Sequence, residues 1–196
     1  MQFDPNHWVA IFTGLLVLVG FLQLFVFGTQ ARRLRETIDQ MKSAEQRELR
    51  AYVSVESGSI TPITGQIQPA AHLILRNTGK TPAYQLTHWA HIVVDHVNLQ
   101  VALPGIGPMP APLPTITIGP FGGSTKSVPL GRTITQQEYQ DILAGTKVVY
   151  VYGIIEYEDA FGEKRHTRYK SMHGVMSGQV GVSTDLTFCP DGNEAN

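Results

Sequence analysis

One uninterrupted apolar run constrains this chain more than any other feature. Residues Val9 to Gly28 read VAIFTGLLVLVGFLQLFVFG, and Gln23 is their only strongly polar member. Twenty helical residues span about 30 Å, the thickness of the hydrocarbon core of a bilayer. The sequence therefore predicts a transmembrane helix over residues 9–28, although the mean hydropathy of the whole chain is only −0.05.

The flanks of this run favour a retained anchor over a cleaved signal peptide. Residues 1–8 contain Asp4 and no lysine or arginine, whereas a secretory signal begins with a basic region and has an apolar stretch of only about 7 to 15 residues. Arg32, Arg33 and Arg35 follow the run directly. Because basic flanking residues tend to stay on the cytoplasmic side, we expect a cytoplasmic C-terminal domain, with these arginines contacting anionic lipid headgroups.

Residues 29–50 predict a basic helical stalk that continues the membrane helix outward. The segment contains neither Gly nor Pro and consists mostly of good helix formers. Leu34, Ile38 and Met41 begin an apolar seam, but acidic residues occupy its next positions, and a coiled coil needs several heptads. We interpret the segment as a solvated stalk, with a short helix-pairing surface as the alternative.

Two small residues inside the span indicate a place where another helix can approach. Ala10 and Gly14 lie four residues apart, so they share one helix face, and small residues at this spacing allow close helix packing in membranes. The partners expected through the span and the stalk are other integral membrane proteins or a second copy of the chain.

Charge and cysteine content exclude several classes of protein. The 15 basic and 16 acidic residues give a net charge of −1, so nucleic acid binding is not indicated. Cys189 is the only cysteine, which excludes a fold held by internal disulfides. Its surroundings, TFCPDGNEAN, are typical of a fraying terminus. We therefore interpret residues 174–196 as a C-terminal tail and the thiol as non-catalytic.

Beyond the stalk the hydrophobic period changes from 3.6 to 2. Residues 51–173 contain seven short segments separated by turn residues, a pattern that predicts an antiparallel, immunoglobulin-like β-sandwich and a mainly β fold class. One short helix is predicted where Thr135 and Glu138 form a capping box and Gly145 ends the helix. The predicted strands are residues 51–56, 71–77, 83–95, 115–118, 125–130, 147–158 and 164–172.

Alternation in two of these strands predicts an aromatic group on the outside of the sheet. One face of residues 83–95 is apolar and is assigned to the core, which leaves Trp89 on the other face. Tyr150 and Tyr152 lie on one face of residues 147–158. If the strands are neighbours, the three aromatic side chains form a candidate interaction site or lie under another element. The alternative is a β-bulge that turns Trp89 into the core.

No motif predicts catalysis, a metal site or a cofactor. Gly79-Lys80-Thr81 resembles the end of a phosphate-binding loop, but Ile74 stands where a glycine is required, so a turn is predicted instead. His88 and His91 point to opposite faces of a strand and do not share a metal ion. The proline-rich residues 103–120 predict a stiff extended loop.

Charged residues around the last predicted hairpin are expected to be solvated. The carboxylates Glu156, Glu158 and Asp159 flank a turn closed by Gly162. The following strand carries a basic stripe, expected to be an exposed or edge-protecting face. This stripe comprises Lys164, His166, Arg168 and Lys170.

The layout resembles a diffuse group of uncharacterised bacterial single-pass membrane proteins with an N-terminal anchor, a helical stalk and an immunoglobulin-like β-sandwich. The resemblance rests on the entry segment 50–53 (RAYV), the turn 77–83 (NTGKTPA) and the hairpin 152–162 (YGIIEYEDAFG). It implies the same architecture and the bacterial inner membrane. It transfers no activity and no functional residues.

Together these features predict a non-enzymatic, membrane-anchored interaction or accessory subunit that supports a larger inner-membrane complex. An anchor joined to a domain without a catalytic constellation suits a subunit that packs its helix against other helices. The alternative is a membrane-tethered module that binds a ligand or senses the envelope, which would favour a periplasmic domain.

Overall fold

The computed structural model describes residues 5–63, 68–97, 113–174 and 184–196, so most of the proline-rich segment lies outside the described residues. The chain divides into two units, Met1–Arg47 and Glu48–Asn196. The elements, in chain order, are α1 (Pro5–Leu49), β1 (Val53–Ile60), β2 (Ala70–Asn77), β3 (Ala83–His96), β4 (Ile116–Ile118), β5 (Gly123–Pro129), α2 (Gln136–Leu143), β6 (Lys147–Glu158), β7 (Lys164–His173), β8 (Thr187–Phe188) and β9 (Glu194–Ala195).

Helix α1 runs without interruption from the apolar run through the polar segment that follows it. Its 45 residues correspond to a length of about 68 Å. Within Ile11–Leu49, an 18-residue window reaches a mean hydropathy of 2.3 and none of it is buried. The helix is long and apolar enough to cross a membrane, and the prediction that the stalk continues the apolar helix is confirmed.

The strands form two antiparallel sheets. The smaller sheet has the order β1-β2-β5, and the larger has the order β4-β3-β6-β7-β8, with β9 also pairing with β7. In the larger sheet β6 lies between β3 and β7. The seven predicted strands match β1 to β7 within four residues at every end, and the mainly β fold class is confirmed.

Apolar side chains of both sheets meet in one core, an arrangement like that of a β-sandwich. Leu73 and Leu75 of the smaller sheet and Leu86, Val151 and Ile155 of the larger sheet have no exposed surface. A fully buried side chain of this size contributes about 1.5–3 kcal/mol. This shared core therefore holds the two sheets together.

Helix α2 begins with the predicted capping box. The Glu138 N–H donates to Thr135 Oγ1, and the Glu138 carboxylate accepts from the Thr135 N–H. Arg132 donates two hydrogen bonds of 2.7 Å to the same carboxylate and lowers the pKa of Glu138 to about 2. Ile142 anchors the helix in the core, and Gly145 follows it with a φ of 74°.

The predicted turn between β2 and β3 is organised by a buried asparagine. Asn77 Oδ1 accepts from the N–H groups of Tyr52 at 3.1 Å and Gly79 at 2.9 Å. A Cβ atom at Gly79 would lie 2.2 Å from the Arg50 carbonyl oxygen, so only glycine fits. The turn thereby fixes the start of β1.

A β-bulge near the start of β3 shifts its register with β6 between Tyr84 and Thr87. Gln85, inside the bulge, has a φ of 48°, which is left-handed and uncommon for a side chain of this kind. Ala83 and Leu86 both face the core, although they are three residues apart. The bulge therefore reverses the alternation of β3 after its first residues.

The expectation that the last part of the chain frays is wrong for residues 184–196, which we call the seam. The Leu186 N–H donates to the Gly58 carbonyl of β1 at 2.8 Å, and β8 pairs with β7 at Ser171. The seam therefore joins the edge strand of one sheet to the edge strand of the other. Its two strands have only two residues each, too few to leave a period-2 signal.

Candidate functional site

The outer face of the larger sheet, which faces away from the core, carries part of the predicted aromatic group. The ring of Tyr152 has its centroid 5.9 Å from that of Trp89 and 5.7 Å from that of His91. Trp89 is half-buried, His91 is exposed and Tyr152 is buried. The bulge at Gln85 precedes Leu86, and the pairing of β3 with β6 is regular from Thr87 onward. The alternation after the bulge therefore keeps Trp89 on the outer face. The role of this group in binding a partner stays a prediction.

Tyr150 belongs to a separate cluster beneath the seam. It is buried and packs with Val148, Met172 and Cys189, and the Lys170 ammonium lies 5.3 Å from its ring centroid. Burial raises the pKa of the Cys189 thiol to about 11. Of the three predicted aromatic residues, the structure therefore brings Trp89 and Tyr152 together but not Tyr150.

The predicted basic stripe on β7 is partly covered. Lys170 is only 2% exposed, and its ammonium lies 3.3 Å from both carboxylate oxygens of Asp191. Arg168 pairs with Glu194 at 3.4 Å. The expectation of an exposed stripe is therefore wrong at Lys170, because the seam supplies its carboxylate partner.

An open pocket of about 320 Å³ lies at the end of the outer face nearest the bulge. It extends across β3, β6 and β7, and we call it the polar pocket. Most of its lining is polar, and Arg165 of this lining is already paired with Asp159. The lining residues are Gln85, Thr87, Glu156, Tyr157, Glu158, Lys164, Arg165 and His166.

One of the three carboxylates expected to be solvated is instead structural. Asp159 is 2% exposed and accepts from the N–H groups of Phe161 and Glu163 and from Arg165 Nε at 2.9–3.1 Å. Burial raises the pKa of Asp159, but these hydrogen bonds outweigh it and the pKa is lowered overall. Asp159 therefore holds the hairpin that fixes the ends of β6 and β7 at the polar pocket.

A hydrogen-bonded pair of polar side chains, His88 and Tyr169, lies on the inner side of the larger sheet. His88 Nε2 is 2.7 Å from the Tyr169 hydroxyl. Burial, assisted by the charge of Lys126, lowers the pKa of His88 to about 4, and burial raises the pKa of Tyr169. Both side chains are therefore uncharged at neutral pH. A Cβ atom at Gly153 would lie 2.2 Å from the Trp89 carbonyl oxygen and 2.7 Å from the Tyr169 hydroxyl, so only glycine fits beside β3 and this pair.

His88 and His91 point to opposite faces of β3, as predicted, since His88 meets Tyr169 of the core and His91 meets Tyr152 of the outer face. In the described ranges, no group of three or more His, Cys, Asp or Glu side chains is arranged to hold a metal ion.

The candidate residues on α1 have an open environment in their own unit. Arg32, Arg33 and Arg35 are exposed, and a Cβ atom at Gly14 would meet no atom within 4 Å. The side chain of Ala10 lies outside the described part of the chain. Contacts of these residues with lipid headgroups or with a second helix stay predictions.

Sequence reasoning missed the polar pocket, although part of its signal is present. A hairpin around residues 159–163 places Glu156 opposite His166 and Glu158 opposite Lys164, and this register follows from the turn. No pattern indicates that Gln85 adopts a positive φ, because glutamine rarely does so.

Comparison with known proteins adds no family. No protein-family model matches this chain, and neither a curated protein nor a solved structure is significantly similar to it.

Proposed function

We propose that this chain is a non-enzymatic, single-pass protein of the bacterial inner membrane that serves as an accessory subunit of a larger membrane complex. The observation that carries the proposal is the exposure of every large apolar side chain of α1 from Ile11 to Phe27. Such a surface needs lipid or other helices around it. The arginines that follow, Arg32, Arg33 and Arg35, support a cytoplasmic domain by the positive-inside rule.

The domain would supply a protein-binding surface of the immunoglobulin-like type. The β2–β3, β4–β5 and β6–β7 turns lie at one end of the sandwich, since β2 ends beside the start of β5 and β3 starts beside the ends of β4 and β6. Tyr84, Phe121 and Phe161 are 40–65% exposed at this end. Phe121 has a φ of 56°, an unfavourable conformation for a bulky side chain. Exposed aromatic side chains on neighbouring turns favour contact with a partner protein.

Extraction in mild detergent tests the accessory role. We expect the chain, at its native abundance, to elute with a larger assembly, and we expect partners to be identified after cross-linking. A strictly monomeric species in the same extract contradicts the proposal.

A matched pair of variants tests whether the small-residue face of α1 contacts that assembly. Gly14→Ile adds a branched side chain on the face shared with Ala10, whereas Gly20→Ile adds the same group on another face; both positions are open within the chain. We expect only Gly14→Ile to reduce the assembled fraction. Equal effects of the two variants contradict a specific contact at Gly14.

The polar pocket favours a second candidate function, a membrane-tethered module that binds a small ligand. A concave site lined by convergent polar groups is the usual form of such a binding site. This candidate favours a periplasmic domain, so the orientation of the chain discriminates between the two functions.

A further inference from the structure

The polar pocket separates opposite charges on neighbouring strands. Glu156 and Glu158 point outward from β6, because Tyr157, which lies between them, and Ile155, which precedes them, belong to the core. Lys164 and His166 lie directly opposite them on β7. The acidic and basic rows are therefore one strand apart, about 4.8 Å.

Among the residues that the structure describes, the acidic and basic rows form no direct ion pair with each other. Across the described ranges, the side chains of Glu156, Glu158, Lys164 and His166 make no hydrogen bond or ion pair. The neighbouring basic residues of β7 behave differently, since each has a carboxylate partner within 3.4 Å. These pairs are Arg165 with Asp159, Arg168 with Glu194 and Lys170 with Asp191. The polar pocket thus leaves both charged rows available to a third molecule.

The third wall of the pocket is formed by uncharged residues of β3, one of which has an unusual backbone conformation. Gln85 has a φ of 48° within the bulge of β3, and Thr87 lies directly opposite Glu156. Bulges commonly re-aim side chains next to functional sites, and strained backbone clusters there. An amide and a hydroxyl at this wall supply both hydrogen-bond donors and acceptors.

The charges on the walls define the kind of ligand. A simple cation would contact only the acidic row and a simple anion only the basic row, whereas a zwitterion forms charge-assisted hydrogen bonds with both. A volume of about 320 Å³ accommodates a molecule of amino-acid size. We propose that the polar pocket binds a small zwitterion of the ω-amino acid type, with its ammonium at Glu156 and Glu158 and its carboxylate at Lys164 and His166.

This inference rests on the second candidate function. Its test is independent of the accessory role, because binding is measured on the purified full-length chain in detergent, where assembly with other proteins plays no part. Isothermal titration with glycine, 4-aminobutyrate and 6-aminohexanoate compares different separations of the two charged groups. Butylammonium and butyrate are the controls that each carry one of the two charges.

We expect 4-aminobutyrate to bind most tightly, because its extended charge separation is comparable to the spacing of the two strands. The singly charged controls should bind at least tenfold more weakly. Absence of saturable binding by every zwitterion, or equal binding of butylammonium, overturns the proposal.

Variants locate the binding in the polar pocket. Glu156→Gln and Lys164→Met should each weaken 4-aminobutyrate at least tenfold, whereas Glu163→Gln, an exposed residue of the adjacent turn, should leave the affinity unchanged. Circular dichroism and the thermal midpoint show that each variant is folded. Unchanged affinity in folded Glu156→Gln and Lys164→Met overturns the assignment to this pocket.

Discussion

At the scale of single residues, His88 shows how the sandwich changes the chemistry of a side chain. The sequence places it on the face opposite His91, and the structure agrees. Its partner, the Tyr169 hydroxyl at 2.7 Å, lies 81 residues further along the chain and cannot be predicted by local spacing. The pKa of about 4 that burial gives His88 means that the folded domain excludes a proton that the unfolded chain accepts.

This exclusion predicts that the domain loses stability as the pH falls from about 6.5 towards 4. The unfolded chain, with an ordinary histidine pKa of about 6.5, binds the proton in this range and the folded domain does not, so acid favours unfolding. Between pH 7 and pH 5 the loss should be about 2 kcal/mol. Urea unfolding at the two pH values measures it.

His88→Gln is the control for this prediction, because glutamine can still hydrogen bond to Tyr169 but does not titrate. Buried or paired carboxylates such as Glu138 and Asp159 have lowered pKa values and contribute only at lower pH. If His88→Gln retains the full loss between pH 7 and pH 5, another group is responsible.

At the scale of elements, period-2 patterning predicted β1 to β7, and the capping box predicted α2. The seam was missed for physical reasons. Side chains replace part of its backbone pairing: Asn193 Oδ1 accepts from the Lys170 N–H at 3.0 Å, and Asn196 Oδ1 accepts from the His166 N–H at 2.8 Å. Pro190 and Gly192 interrupt any strand pattern. The polar pocket was missed because it needs three strands and a bulge, which no single segment reveals.

The seam predicts an asymmetric effect of removing either partner of one ion pair. Asp191→Asn leaves the Lys170 ammonium, whose side chain is 3% exposed, without its carboxylate partner. We expect it to destabilise the domain by about 1–2 kcal/mol, less than for a fully buried pair because Asp191 is partly solvated. Lys170→Met keeps the apolar length without the charge and should be close to neutral.

The double variant Asp191→Asn/Lys170→Met completes the comparison. In the Lys170→Met background, Asp191→Asn should change the free energy of unfolding very little. Urea midpoints of the four proteins give the coupling. Additive effects of the two substitutions would mean that the pair does not stabilise the seam.

At the scale of the whole molecule, the apolar run predicts a membrane-spanning helix that is separate from the folded domain. The change of the hydrophobic period from 3.6 to 2 near Arg50 predicts that the helix ends there and that a β domain with its own core begins. The expected orientation is inferred from the flanking arginines alone, so it needs a direct measurement. Cys189 is a poor reporter for this purpose, because it is 4% exposed and burial raises the pKa of its thiol to about 11.

An introduced thiol should report the orientation. Glu163→Cys places a cysteine on the exposed turn between β6 and β7, and the unmodified chain is the control, in which buried Cys189 should label slowly. For a cytoplasmic domain, an impermeant maleimide should label Glu163→Cys only after spheroplasts are permeabilised. Labelling in intact spheroplasts would place the domain outside and favour the ligand-binding function.

The seam also imposes an order on biosynthesis. The outer edge of β1 pairs with residues that are translated about 125 residues later, on the order of ten seconds at bacterial or eukaryotic elongation rates. During this interval both edge strands, β1 and then β7, expose unpaired backbone groups of the kind that recruit other chains. The nascent domain should therefore depend on chaperones, or on its eventual partner, until the seam has emerged from the ribosome.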